Sequence, residues 1–320
     1  MTHPGMRIAV LLGGRSAEAE VSRSSGVEVR AALERAGHDA VAVELDRGTW
    51  EKLRDGGFDC CFIALHGRLG EDGTVQGMCE LLALPYTGSG VLASALCIDK
   101  TRSNRLLQAA GLAIPDFEEL AAPRSIEAGL VERLTGTYGL PLVVKPVREG
   151  STVGLTIARD EDQVASGLLL GARYDRRLLI QRFQAGTEIT IGVLATPDIQ
   201  VLPTLEITYQ GATYDYAAKY TPGGSHHTIP ARIPEAAREA AAAAAAVAFR
   251  TLGCDGMARV DIIVDGAGTP WILEVNTVPG LTALSLLPDA ARSVGVEMPE
   301  FCDRQVRHAV ERYAARVGPP

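Results

Sequence analysis

The chain is predicted to be an α/β protein of several domains that begins with a parallel, Rossmann-like sheet. Its 320 residues exceed what one hydrophobic core comfortably serves. Apolar residues make up 47% and charged ones 22%, the balance of an ordinary globular protein rather than a disordered or membrane-spanning one. Most directly, short apolar runs alternate with amphipathic ones across the first hundred residues. Such alternation of strand and helix calls for parallel strands joined by crossover helices.

The first strand is expected at 8–12 and the next helix at 20–36. There Val21, Ser25, Val29, Leu33 and Ala36 recur on one helical face, and Gly37 suits a C-terminal cap. Strands at 40–45 and 61–65 complete a first unit, 1–99. A second unit, 100–183, is read with a helix before Gly111, strands at 142–145 and 178–181, and a glycine-bracketed loop at 148–154. A third, 184–320, carries strands at 188–195, 201–208, 257–264 and 271–276, and its alanine-rich stretch 235–250, entered at Pro234, has high helix propensity. At about 209–230 the pattern lapses into an irregular insert with aromatic edges, which suits a lid or a disordered connector.

Composition narrows the partners. A net charge of −8 argues against a nucleic-acid or anionic membrane surface, yet leaves room for a small anion in a local basic pocket. Six cysteines with no CxxC pair and no metal-ligand spacing to histidine read as free thiols of a reducing compartment. The apolar run at 8–12 is too short for a signal peptide and no stretch is long enough to cross a membrane, so a cytoplasmic enzyme is expected. No Walker-type glycine loop ending in Gly-Lys-Ser/Thr occurs. Gly88-Ser89-Gly90-Val91-Leu92-Ala93 fits a relaxed dinucleotide pattern, but it follows a very short strand and is read as a turn before a helix.

Only four of the 31 basic residues are lysines, and Lys100, Lys145 and Lys219 lie in segments that look built for a site. Arginine serves as well on a solvated face, so a retained lysine points to a compact ammonium beside a phosphate, or to chance in a small sample. Lys145 ends an apolar strand before Pro146 and the loop Glu149-Gly150-Ser151-Thr152-Val153-Gly154, whose amides and hydroxyls could fold over phosphates or form a plain hairpin. Lys219 sits in Tyr214-Asp215-Tyr216-Ala217-Ala218-Lys219-Tyr220 at the edge of the insert.

The sharpest local signal is a pair of strands, Ala258-Arg259-Val260-Asp261 and Ile272-Leu273-Glu274-Val275-Asn276, joined by a glycine-rich turn. Alternation places Arg259 with Asp261, and Glu274 with Asn276. Folded as a hairpin they gather two carboxylates, an amide oxygen and a guanidinium, a ligand set that suits Mg²⁺. Either strand alone would suit a salt-bridged surface hairpin. The apolar neighbours Val260, Ile262, Leu273 and Val275 instead put the acids in a buried setting, where a partner is needed. The following turn, Thr277 through Gly280 to Ser285, offers backbone donors to a substrate carboxylate.

In this order the segments resemble the D-alanine:D-alanine ligases of the ATP-grasp superfamily. The resemblance covers nearly the whole chain. It rests on Leu11-Leu12-Gly13-Gly14 with Ser16-Ala17-Glu18, Leu65-His66-Gly67 with Gly70-Glu71-Asp72-Gly73, and Tyr86-Thr87-Gly88-Ser89-Gly90 with Asp99-Lys100. It continues through Val144-Lys145-Pro146 with Arg148-Glu149-Gly150-Ser151, Tyr214-Asp215-Tyr216 with Lys219-Tyr220, Arg259-Val260-Asp261, and Leu273-Glu274-Val275-Asn276-Thr277 with Pro279-Gly280.

The resemblance implies an ATP-grasp fold of three α/β domains, with ATP between the central and C-terminal ones. It also implies a cytoplasmic, homodimeric enzyme of peptidoglycan precursor synthesis. ATP would phosphorylate one D-alanine, and the amine of a second would displace phosphate. By motif, Lys100, Lys145 and Lys219 would neutralise the triphosphate, Gln181, Arg182, Phe183 and Gln184 would line the base, and Glu188 would hold the ribose. Asp261, Glu274 and Asn276 would hold two Mg²⁺ ions, or Mn²⁺. Glu18 would take the first ammonium beside Val21 and His66, Arg259 would stabilise the acyl phosphate, and Gly280, Ser285 and Leu286 would take the second carboxylate. Ser151 and Tyr220, bonded to Glu18, would shut the lid against water.

Gln181 departs from the family pattern, since many relatives carry Glu there; its carbonyl can still accept from an amino group. Relatives that join D-alanine to D-lactate typically carry histidine in place of the lid tyrosine. Tyr220 therefore favours an amine nucleophile, although His226 and His227 share that insert. A nicotinamide-dependent dehydrogenase built on the Gly88 turn would leave Asp261, Glu274 and Asn276 unexplained, and a non-catalytic ATP-binding regulator would have little need for Arg259 and Ser151.

Overall fold

The computed structural model describes residues 5–16, 18–209 and 224–317, arranged around three sheets. The first is parallel, with β1 (Arg7–Leu12) between β2 (Asp39–Glu44) and β3 (Cys60–Ile63). The crossovers are α1 (Ala19–Arg35) and α2 (Thr49–Asp55). Next come α3 (Thr74–Leu81), α4 (Val91–Ile98) and α5 (Lys100–Ala109). Gly88, with φ +80°, makes the expected turn ahead of α4.

The second sheet is antiparallel in the order β4 (Phe117–Ala121), β7 (Arg177–Arg182), β5 (Leu142–Pro146) and β6 (Thr156–Ala158). One face is covered by α6 (Leu130–Tyr138) and α7 (Glu161–Gly171), through a core that includes Leu134, Leu142, Val144, Leu168 and Ile180. Val143 and Gln181, paired in register, stand on the other face.

The third sheet, also antiparallel, runs β11 (Ser225–Thr228), β10 (Leu205–Tyr209), β8 (Thr187–Ala195), β12 (Gly256–Val264) and β13 (Pro270–Asn276), and β9 (Ile199–Val201) pairs with β8. The single strand expected at 201–208 is thus two strands, interrupted where Pro203 has no N–H to give a ladder. Behind the sheet lies α8 (Glu235–Thr251). Its alanines 237, 241, 244, 245 and 248 form a shallow buried stripe that ends at Phe249. Small side chains let this helix lie close against the strands.

The cores do not follow the linear partition. Cys97, Leu107 and Ile114, on either side of residue 99, pack into the core of the third sheet. While α9 (Leu286–Ser293) lies against β8, the last helix, α10 (Met298–Val317), returns to the first sheet, where Phe301, Cys302, Val306 and Ala309 meet Ile8, Val10, Leu33 and Phe62. Nothing local in the sequence announces that long-range return. All six cysteines are buried and unpaired.

One polar node ties these parts together at the start of α5. The Asp99 carboxylate accepts from the Arg102 N–H at 3.2 Å and from Arg177 Nη1 and Nη2 at 2.6 and 3.3 Å, while Arg177 Nε donates to Glu119 at 2.6 Å. Burial alone would raise the Asp99 pKa, but the hydrogen bonds from Arg177, Thr101 and Arg102 outweigh it and hold the group well below the usual carboxylate range. Arg177→Ala would leave Asp99, with a side chain 4% exposed, short of its main partner. The expected loss is about 3 kcal/mol, read as a lower urea midpoint at pH 7. Because the folded pKa is depressed, this stabilisation is present above the unfolded value near 3.8 and disappears as pH falls through the folded one. The gap between wild type and variant should therefore narrow below pH 4.

Candidate active site

The second and third sheets and the loops that follow β1 and β3 of the first enclose a cavity of about 600 Å³. Its floor is the β12–β13 hairpin. Asp261 stands opposite Glu274 and Arg259 opposite Asn276, so all four side chains share one face, and a β-bulge follows Asp261. Val260, Ile262, Ile272 and Val275 on the reverse face are buried against α8 and its neighbours, which fixes the register.

Like charges placed directly across a hairpin repel, and here cations compensate them. Arg259 donates to both oxygens of Asp261 at 2.8 Å, and the Thr190 hydroxyl adds a bond of 2.7 Å. Lys100 Nζ lies 3.3 Å from Glu274 and donates to the Glu149 carbonyl at 2.6 Å. Asn276 Oδ1 accepts from the Val278 N–H at 3.0 Å and keeps a second lone pair. Among the described residues no three His, Cys, Asp or Glu side chains are grouped so as to hold a metal ion by themselves. Two carboxylates and an amide fit a hard cation that takes its remaining ligands from water and phosphate.

Lys145 projects from the end of β5 into the same space. Burial and the nearby Lys100 depress its pKa, against the pull of Glu274 and Asp261, to about 8. A cation held so reluctantly is poised for an added anion. The loop after β5 bends through Ser151 and Thr152 at φ +48° and +66°. That bend lets the Ser151 hydroxyl donate to Glu18, the residue at the N-terminus of α1.

His66 lies against this wall. Its Nδ1–H donates to the Val278 carbonyl at 2.8 Å, and Nε2 meets the Ser25 hydroxyl at 2.8 Å, which in turn accepts from the Leu281 N–H at 3.2 Å. Burial opposes a charge on His66, but Glu71 and Glu18 outweigh it and the pKa is raised. Glu71 also lines the cavity and was given no role from sequence; its only signal was its place in Gly70-Glu71-Asp72-Gly73. At the far wall Ser285 Oγ accepts from the Thr282 N–H at 3.0 Å. A Cβ on Gly280 would lie 2.7 Å from that oxygen, so a larger residue there would displace the Ser285 hydroxyl.

The other end of the cavity is apolar, with Val143, Leu155, Ile157, Ile263, Leu273 and Phe183 around Gln181. Beside it Tyr209, another residue not singled out from sequence, donates its hydroxyl to Glu188 at 3.0 Å. Gln184 and Leu286 also line the cavity. Arg182 lines it as well, with its guanidinium bonded to Asp116 and to the Tyr138 carbonyl, whereas Val21 is buried in α1 and is not among the lining residues. Lys219 and Tyr220 lie outside the described residues.

Two antiparallel sheets that clasp an apolar slot, with lysines and a carboxylate hairpin at its inner end, define an ATP-grasp protein. The models of the D-ala D-ala ligase C-terminus and N-terminus match residues 106–307 and 51–89. A D-alanine–D-alanine ligase of Pelotomaculum thermopropionicum is 45% identical over 97% of this chain and 99% of its own length. A solved D-alanine–D-alanine ligase from Bacillus anthracis, complexed with ATP, superposes with a TM-score of 0.83 at 32% identity, covering 98% of this chain and all of that one. A D-Ala:D-Ser ligase from Enterococcus faecalis gives 0.80 at 28% identity, with 95% and 99% covered. The chain belongs to the D-alanine–D-alanine ligase family.

Charging buried Lys145 should cost the ligand-free protein about 3 kcal/mol at neutral pH, from the gap between about 8 and 10.5. Lys145→Met is therefore expected to raise the melting temperature by a few degrees at pH 7. Its folded pKa is depressed, so the cost is full below pH 8 and gone above 10.5. The advantage of the variant should shrink across that window in a thermal scan series.

Proposed function

We propose that this chain is an ATP-dependent ligase that joins two D-alanines into D-alanyl-D-alanine, releasing ADP and phosphate. The observation that carries this reading is the meeting, in one cavity, of a cationic phosphate end, the Glu18 wall and the Gly280–Ser285 wall. A carboxylate oxygen of the first D-alanine attacks the γ-phosphorus and ADP leaves, giving D-alanyl phosphate. The amine of the second attacks the carbonyl carbon, phosphate departs with the bonding pair, and the amine proton is lost as the amide forms.

Lys100 and Lys145 hold the triphosphate, with Lys219 assigned to the same task by motif. Glu18 binds the first ammonium and His66 packs beside it. The Gly280 N–H and the Ser285 hydroxyl take the second carboxylate, with Leu286 below. Arg259, fixed by its fork on Asp261, stabilises charge on the acyl phosphate and the tetrahedral intermediate. Asp261, Glu274 and Asn276 would hold Mg²⁺, which when bound neutralises the transferring phosphoryl oxygens. The bond between Ser151 and Glu18 ties the phosphate loop to the first-substrate wall, and Tyr220 is proposed to join it when water is shut out.

Neither His226 nor His227 lines the cavity; His226 is exposed and His227 is bonded to Asp289 at 2.7 Å. The amine nucleophile is therefore preferred to D-lactate. Peptidoglycan precursor synthesis in the cytoplasm follows from the product, and no helix among the described residues is long and apolar enough to cross a membrane. A homodimer is the proposed assembly, since Leu81 and Leu92 on adjoining α3 and α4 are 80% and 72% exposed.

Phosphate release from ATP and Mg²⁺ is expected with D-alanine, and neither with L-alanine nor as a gain when D-lactate is added. No dependence on D-alanine would sink the reading. Glu274→Gln is expected to lower kcat by roughly 100-fold or more with circular dichroism unchanged; near-normal turnover in the folded variant refutes the metal assignment. Leu81→Glu combined with Leu92→Glu should shift the sedimentation coefficient to that of a monomer.

A further inference from the structure

At the apolar end of the cavity one polar group is left over. Gln181 is 2% exposed, and its amide nitrogen has no hydrogen-bond partner among the described residues. Its backbone is engaged in the sheet, opposite Phe117 on one side and Val143 on the other. Buried side-chain amides are seldom left so; this nitrogen is covered although its residue lines the cavity, and an acceptor that arrives with a ligand reaches it once the amide turns about its last torsion. The walls around it, Val143, Leu155, Ile157, Ile263, Leu273 and Phe183, shape an apolar slot that suits a flat heteroaromatic ring.

A carboxylate at this position could only accept a hydrogen bond. An amide carries one acceptor and one donor group on the same trigonal carbon, and a half-turn about its last torsion exchanges them without disturbing the packing. Oε1 can meet an exocyclic amino group, and Nε2 can meet a carbonyl oxygen in the same place.

We infer that Gln181 reads position 6 of the purine and admits 6-oxopurine triphosphates as phosphoryl donors beside ATP. The inference rests on the reading that the nucleotide base occupies this slot. ATP stays the better donor, because a 6-oxopurine also carries a proton on N1 where adenine has a lone pair, and one rotating amide cannot answer both changes. Its task is to remove the penalty of facing an acceptor with an acceptor, which in a buried site otherwise discriminates by orders of magnitude.

Inosine triphosphate is the direct probe, since it differs from ATP only at position 6 and N1. In the wild-type protein D-alanine-dependent phosphate release should proceed with inosine triphosphate at kcat/KM within roughly 100-fold of ATP. In Gln181→Glu the ratio of the two kcat/KM values should fall at least roughly tenfold further, whatever happens to each alone. An unchanged ratio in the folded variant overturns the inference while leaving ATP use intact. If the buried carboxylate prevents folding, the wild type decides: discrimination beyond roughly 1000-fold overturns the proposal without any variant. Wild-type protein that turns over neither nucleotide overturns the ligase reading and this inference with it.

Discussion

The cavity is organised by one electrostatic constraint, the opposition of Asp261 and Glu274 across a buried hairpin. Two carboxylates so placed are unfavourable unless cations come to them. The cations come from three directions: Arg259 on the same strand as Asp261, Lys100 at the start of α5, and Lys145 at the end of β5. Each is positioned by something else. The fork of Arg259 is set by strand alternation, Lys100 by the node of Asp99, Arg177 and Glu119 beside it, and Lys145 by the ladder between β5 and β7. The resulting field is built before any ligand arrives, which is what stabilising a transferring phosphoryl group requires.

The same arrangement links the first sheet to the chemistry. Glu18 reaches the phosphate loop through Ser151, and His66 reaches the far wall through the Val278 carbonyl and, by way of Ser25, the Leu281 N–H. Groups proposed to hold the two amino acids thus hang on one network of hydrogen bonds. Movement of the first sheet against the third would break buried bonds on both walls at once. The core that α10 shares with the first and third sheets resists that movement, because its buried residues pack against Ile8 and Phe62 on one side and belong to the same cluster as Leu194 and Met257.

Legibility varied with how local each signal is. The hairpin could be read from sequence because alternation has a period of two and its apolar partners are near neighbours. The lysine at the end of β5 was visible because lysines are scarce in the chain and a glycine-bracketed loop follows it. The strand expected at 201–208 was read too long, since its apolar pattern hides a proline that interrupts the ladder. Val21 lies on the buried helix face that its spacing gives, and the substrate contact that the resemblance implied for it is not among the lining of the cavity. Tyr209 is not legible because its partner Glu188 lies on another strand, and Glu71 because its weight comes from burial beside His66 and Glu18.

What the sequence by itself determined is the chemical inventory and its order: which stretches are strands, where acids and lysines end them, and where glycines let the backbone turn. These depend on local sterics, side-chain alternation and the types of residue present. What only the tertiary structure decided is which of those groups meet and in what ionisation state. Lys145 is an ordinary amine until burial and Lys100 lower its pKa to about 8, and Gln181 is an ordinary amide until the closing of the slot leaves its nitrogen without a partner. Both are effects of desolvation, and desolvation belongs to the assembled fold rather than to any segment of it.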